Sequence, residues 1–181
     1  MKRNILAIIG SASKNSANLK LVNKIVELTK TKLKFEIFDR LAELPHFNPE
    51  LSIERTPEKI EGIRQSIFNA DGIIICTPEY VFSIPSGLKN LIEWCVSTTV
   101  FSQKPLGIIT ASAQGEKGHE ELKLIIKTLE AKFTDETTLL VQGVKGKIDG
   151  NGNIINPTLL TELYSFTENF KKFVNENAVQ R

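Results

Sequence analysis

Cysteine, histidine, long apolar runs and charge of one sign are all scarce in this sequence, and each scarcity excludes something. Two cysteines, Cys76 and Cys95, and two histidines, His46 and His119, occur in 181 residues. Two cysteines make neither a disulfide framework nor a metal cluster. Cys76 lies in an apolar run and Cys95 on a helix-patterned segment, so both read as reduced core residues, which predicts a cytoplasmic location. No segment approaches the roughly 20 apolar residues of a membrane span. The run Ile5 to Ile9 is too short for the apolar part of an export signal, and a Gly-Ser loop follows it. Lys and Arg total 23 against 21 for Asp and Glu, and the resulting net charge of +2 lacks the basic excess of a nucleic-acid-binding protein. Lys30-Thr31-Lys32 and Lys171-Lys172 read as solvated helix ends. The expectation is a chain with neither a nucleic-acid nor a membrane partner.

Several chemical signatures are missing as well. There is no Ser/His/Asp arrangement and no metal-spaced His/Cys/Glu cluster. The G-x-G-x-x-G fingerprint is absent, as is G-x-x-x-x-G-K-[ST], which argues against ATP or GTP. Asp149-Gly150-Asn151-Gly152-Asn153 starts like a calcium loop, but Ile154 stands where that loop needs Gly and Leu160 where it needs a bidentate Glu, so it reads as a turn.

What is present is an alternation of short apolar runs with helix-length segments. Strands are predicted at Ile5–Ile9, Phe35–Phe38, Ile73–Thr77, Leu106–Thr110 and Leu139–Val141. Between and after them lie five helical patterns. The first places Leu21, Ile25 and Leu28 on one face; the second spans Pro57 to Asn69. The third spans Ser86 to Thr98, with Ser86 as its cap. The fourth carries Leu122, Ile125, Ile126, Leu129 and Phe133, and the last runs from Pro157 to Asn175. No repeat or low-complexity tract interrupts residues 1–181, which read as one domain. Alternation of this kind gives an α/β fold with a parallel sheet covered on both faces. Five strands fit the flavodoxin-like three-layer sandwich with strand order 2-1-3-4-5. Ligands of such sheets sit beyond the carboxyl ends of the strands, which selects the loops after Ile9, Thr77 and Thr110.

The loop after Ile9 is poor in glycine and rich in hydroxyls. Ser11, Ser13, Ser16 and the Asn18 amide precede a helix start, where orphan amides and the helix dipole favour an anion. Two readings stand: helix caps in a solvated turn, or a cup for a phosphate monoester. The loop after Thr77, Pro78-Glu79-Tyr80-Val81-Phe82-Ser83, offers aromatic and aliphatic surface between two prolines that stiffen it. An extended aromatic cofactor with one terminal phosphate and no adenylate is FMN.

Specific blocks of residues carry a family likeness. Gly10-Ser11, Ser16, Asn18-Leu19, Ala70-Asp71, Thr77-Pro78-Glu79-Tyr80, Ser83-Ile84-Pro85 and Leu88-Lys89-Asn90-x-Ile92-x-Trp94 resemble the NADPH-dependent FMN reductase family. Leu44-Pro45 and Phe47-Asn48-Pro49-Glu50 match its usual connection after strand two. The resemblance covers Asn4 to Lys132 and implies a flavin, quinone, azo-dye or chromate reductase using NADPH or NADH. It puts Ser11, Ser13, Ser16, Asn18 and Leu19 at the FMN phosphate. Pro78, Glu79, Tyr80, Val81, Phe82 and Ser83 fall at the isoalloxazine, and Ser112 and Gly115 at its pyrimidine edge. The chain departs from the pattern at Ser13, where the family has Arg, and at Val81, where it has Asn. Losing the Arg removes a charge-assisted contact of about 1.5–3 kcal/mol, with Lys14 the neighbouring cation, and predicts weaker FMN retention. Gln114 and Lys117 stand where the family's third loop has Gly, so substrate range does not carry over.

On a helical wheel Trp94 lies about 110° from the centre of the Leu88, Leu91, Ile92 and Cys95 stripe. With Val81, Phe82 and Ile84 nearby, it predicts an exposed apolar surface and a homodimer or tetramer, as family members commonly form. His119 reads as a solvated histidine near a helix start and His46 as a loop residue. The resulting expectation is an FMN-dependent NAD(P)H oxidoreductase serving a small-molecule acceptor such as a quinone or free flavin. The alternatives are a non-enzymatic flavodoxin-like electron carrier and a phosphate-sensing scaffold that has lost FMN.

Overall fold

The computed structural model describes residues 2–13 and 15–177. Its centre is a five-stranded parallel sheet in the order β2-β1-β3-β4-β5, as the alternation predicts. The strands are β1 (Arg3–Ile9), β2 (Leu33–Phe38), β3 (Gly72–Thr77), β4 (Leu106–Ser112) and β5 (Thr138–Gln142). The helices are α1 (Ala17–Thr29), α2 (Glu58–Asn69), α3 (Ser86–Cys95), α4 (Glu116–Thr128) and α5 (Pro157–Asn177).

The continuous apolar runs serve both faces of the sheet. Leu6 and Ile8 of β1, Ile73 and Ile75 of β3, and Leu106 and Ile108 of β4 point to one side, where Ile63, Ile67, Leu88, Leu91, Leu122 and Ile126 cover them. That layer is α2, α3 and α4. Ile5, Ala7, Ile9, Ile74, Cys76, Ile109 and Ala111 point to the other side, against Leu21, Val22 and Ile25 of α1 and Leu159, Leu163, Phe166 and Phe170 of α5. Alternate residues of one strand therefore feed two cores, which is what a parallel strand buried on both faces requires. No helix among the described residues is long and apolar enough to cross a membrane.

Several local expectations fail, each for a tertiary reason. Trp94 is wholly buried, not at the edge of a wet face. The connection after β2 folds over that side of α3: Trp94 Nε1–H donates to the Pro45 carbonyl at 2.9 Å, and the Phe47 ring meets the indole edge-to-face at 5.3 Å. Asn90 completes the latch, donating to the Pro45 carbonyl and accepting from the Phe47 amide. A wheel sees one helix and cannot see a loop packed on its second face. Beneath this loop the buried Arg64 guanidinium donates to the Trp94 and Ser52 carbonyls.

Ile84, expected in the exposed group, is also buried, in the core of the α2–α4 layer. Leu28 stands at the rim of α1 and Val22 takes its place inside. Ser86 does not cap α3; Pro85 occupies that position without a side-chain bond, and the helix stops at Cys95. Leu129 and Phe133 lie beyond the end of α4, because the helix closes at Thr128.

Candidate functional site

Parallel register brings the three selected loops to one edge. Ile9 pairs with Cys76 and Thr77 with Thr110. Gly10 N–H donates to the Cys76 carbonyl at 2.8 Å, so the loops after β1 and β3 leave the sheet side by side. A methyl group on Gly10 would lie 2.5 Å from Thr77 Cβ, closer than atoms pack; only glycine allows this approach. The third loop joins through Asn18, whose Nδ2 donates to the Ala111 carbonyl at 3.3 Å.

The loop after β1 is a folded turn. Ser16 caps α1, its Oγ accepting from Leu19 N–H at 3.1 Å. Ser11 is buried and its Oγ accepts from Ser13 N–H at 3.2 Å. Asn18 is buried and braced, accepting from the Cys76 thiol while donating to Ala111. Ser13 is exposed and Leu19 half-buried; Lys14 lies outside the described residues. Both readings of these residues thus share one place. Ser16 and Asn18 do perform helix-capping and bracing, yet the serine hydroxyls keep protons to donate. The first amides of α1 also lack intrahelical partners by the nature of a helix start.

The loop after β3 is a two-residue hairpin. Tyr80 and Ser83 exchange backbone hydrogen bonds of 2.9 and 3.0 Å. The tip residues Val81 and Phe82 have φ of 51° and 60°, the positive values that type I′ turns need and that favour Asn and Gly. For a β-branched residue this is a true outlier, costing about 1–3 kcal/mol. Both tip side chains stand in solvent, Val81 93% and Phe82 68% exposed, with Tyr80 at 47% beside them. Pro78 is buried and Ser83 half-buried.

Glu79 does not extend toward open space. Its Oε2 accepts from Gly118 N–H at 2.8 Å and its Oε1 from Gly115 N–H at 3.3 Å, at the amino end of α4. Glu121 mirrors it, accepting from Ile84 N–H at 3.0 Å. Ser112 Oγ donates to the Glu79 carbonyl at 3.4 Å. Gly115 has φ 94°, so any side chain there would be strained. Gly118 lets the Glu79 side chain and the Ser83 carbonyl pack closely; a Cβ would sit 3.3 Å from each. Sequence reasoning missed Glu121 and Gly118. In the string His119-Glu120-Glu121 a carboxylate reads as a solvated charge, and only the placement of α4 beside the hairpin gives it a partner.

His119 is not solvated. It is half-buried, with Nδ1 2.9 Å from Oγ1 of the fully buried Thr110. Burial, and then the nearby Lys123 cation, hold its pKa below the ordinary histidine value. His46 is an exposed loop residue, as expected. The 149–153 segment is a turn, with Asp149 accepting from the Asn153 amide. No metal-holding group of acids, histidines and cysteines occurs among the described residues.

A hydroxyl-rich helix start and an apolar hairpin thus share one edge of the sheet. Residues 3–145 match the family described as NADPH-dependent FMN reductase. The chain belongs to the NADPH-dependent FMN reductase family. A 2-hydroxy-1,4-benzoquinone reductase of a Burkholderia species is 26% identical over 99% of this chain and 100% of its own length. An NADPH:quinone oxidoreductase of Arabidopsis thaliana is 32% identical, covering 84% of this chain and 82% of its own. The solved structure of FerB, a flavoenzyme NAD(P)H:(acceptor) oxidoreductase from Paracoccus denitrificans, superposes with a TM-score of 0.86 at 22% identity, covering 98% and 100% of the two chains; that likeness speaks for the fold. Membership makes this FMN reductase relative an FMN- and NAD(P)H-dependent oxidoreductase, and removes the non-enzymatic electron carrier as its reading.

Proposed function

We propose that residues 1–181 form one FMN-binding domain that reduces a small acceptor, a quinone or a free flavin, at the expense of NADPH or NADH. The observation that carries this is the junction of the serine loop and the hairpin at Gly10, whose amide bonds the end of β3. An ester phosphate fits beside Ser11, Ser13, Ser16, Asn18 and Leu19, where hydroxyl donors and the start of α1 favour an anion. A planar ring system fits along Pro78, Glu79, Tyr80, Val81, Phe82 and Ser83, with Ser112 and Gly115 at its polar edge.

FMN held by these residues would supply the two-electron redox chemistry between a nicotinamide and the acceptor. The chain's residues bind and orient. Ser11 and Ser13 donate to the anion, Ser16 and Asn18 hold the turn that presents them, and the hairpin provides a stiff wall. Glu79 contributes its backbone to that wall, since its carboxylate is engaged by α4. None of these residues is assigned as a proton donor.

The exposed tip of the hairpin supports a homodimer or tetramer whose interface borders the site; sedimentation of a flavin-loaded monomer at micromolar concentration would exclude it. Two buried cysteines support a reducing compartment, the cytoplasm. The test of function is spectroscopic. The purified protein mixed with FMN should lose its flavin absorbance on addition of NADPH or NADH and recover it on addition of a quinone. Failure to bind FMN under reconstitution would favour the scaffold reading that Ser13 and Val81 invite.

A further inference from the structure

Two carboxylates fasten the hairpin to α4: Glu79, immediately before the turn, and Glu121 of α4, which holds the Ile84 amide just after it. Glu79 accepts from the Gly115 and Gly118 amides, and Glu121 accepts from the Ile84 amide. Between those anchors lie the only two consecutive non-glycine residues with positive φ among the described residues, Val81 and Phe82. Neither gains burial from that conformation, since both side chains stand in solvent. A strained turn persists only where its surroundings over-determine it; besides its own Tyr80–Ser83 backbone pair and the Ser112 hydroxyl on the Glu79 carbonyl, the two carboxylate anchors are what ties this one to α4.

We propose that Glu79, with Glu121 as its counterpart, is a positioning residue for flavin binding. The pair holds the Tyr80–Ser83 turn in its left-handed form before any ligand arrives, so that binding does not have to order the wall. This inference rests on the reading of the hairpin as the wall of the isoalloxazine site. The competing role for Glu79 is a cap on α4 and nothing more, because it satisfies two amides at that helix's amino end.

The two roles differ in how Glu79 couples to residue 81. Val81→Gly removes the conformational penalty at φ 51°. If Glu79 acts by holding a strained turn, relief of the β-branched residue's share of the strain, with Phe82 unchanged, makes it much less needed. If it only caps α4, its loss matters equally with Val or Gly at position 81. The full chain is compared as wild type, Glu79→Ala, Val81→Gly and the double variant. Two quantities are read: the FMN dissociation constant by fluorescence quenching, and amide hydrogen exchange at Tyr80 and Ser83 without flavin.

The expected result is an FMN affinity at least about tenfold weaker for Glu79→Ala in the wild-type background, and less than about threefold weaker in the Val81→Gly background. Exchange at Tyr80 and Ser83 should quicken with Glu79→Ala and change little when Val81→Gly is already present. Equal fold-losses in both backgrounds, or unchanged affinity and exchange in Glu79→Ala, would overturn the proposal while leaving the FMN reading intact. A wild-type chain that does not bind FMN removes that reading and this inference together. Should Glu79→Ala fail to fold, Glu79→Gln, which keeps one acceptor oxygen, enters the same comparison.

Discussion

The turn after β1 and the hairpin after β3 leave the sheet as neighbours yet are held in opposite ways. The first, pinned at its two ends by Gly10 and Asn18, shapes its interior with its own side chains: Ser16 caps the helix that follows and Ser11 accepts from the amide two residues on. Its residues have the chemistry their backbone prefers. The second carries residues its backbone disfavours, and is secured from outside by Glu79 and Glu121 through α4. A phosphate needs many donors in roughly the right place, which local hydrogen bonding can arrange. A flat ring needs a wall of fixed orientation, and that takes tertiary anchors.

This contrast can be broken at its hinge. Gly10→Val should be the most damaging change, costing about 3 kcal/mol of stability by overpacking against Thr77, and abolishing FMN binding by prising the two loops apart; urea unfolding and flavin titration read both. Val81→Asn should act in the opposite direction, because Asn tolerates the left-handed region. It should raise stability by about 1–2 kcal/mol, seen as a higher urea midpoint, whereas the same substitution in a relaxed turn would do nothing. Ser16→Ala tests the self-sufficient loop: the lost cap should cost about 1 kcal/mol and weaken FMN binding without altering exchange at the hairpin.

The smallest effect concerns His119. Its pKa is depressed by burial, so the unfolded chain takes up the proton first as pH falls. Stability should therefore be unaffected by this group above about pH 6.5 and decline below it. Denaturation at pH 7.5 and 5.5 should show a decline that His119→Gln reduces.

The sequence declared the architecture because its signals were local and repeated. Each apolar run of β1, β3 and β4 was long enough to be seen as buried on both faces, and the interrupting helices fixed a parallel sheet. The meeting of the loops after Ile9, Thr77 and Thr110 at one edge followed from strand order. The helical wheel misplaces Trp94 because its cover, Pro45 and Phe47, comes from a loop whose Pro45 lies 49 residues before the indole it bonds. Ile84 was misplaced because a residue between two prolines reads as surface, whereas it enters the α2–α4 core. The engagement of Glu79 was invisible because its partners are backbone amides of Gly115 and Gly118, which no side-chain pattern announces. What a single sequence hides here is loop-on-helix contact; what it exposes is strand and helix period.

The burial of both sulfurs has a chemical consequence. Burial pushes the Cys95 thiol up to about 12 and the Cys76 thiol higher still, so neither forms a nucleophilic thiolate at neutral pH. Quinones alkylate thiolates by conjugate addition. For the quinone acceptor proposed above, two thiols kept protonated and out of reach would escape arylation during turnover.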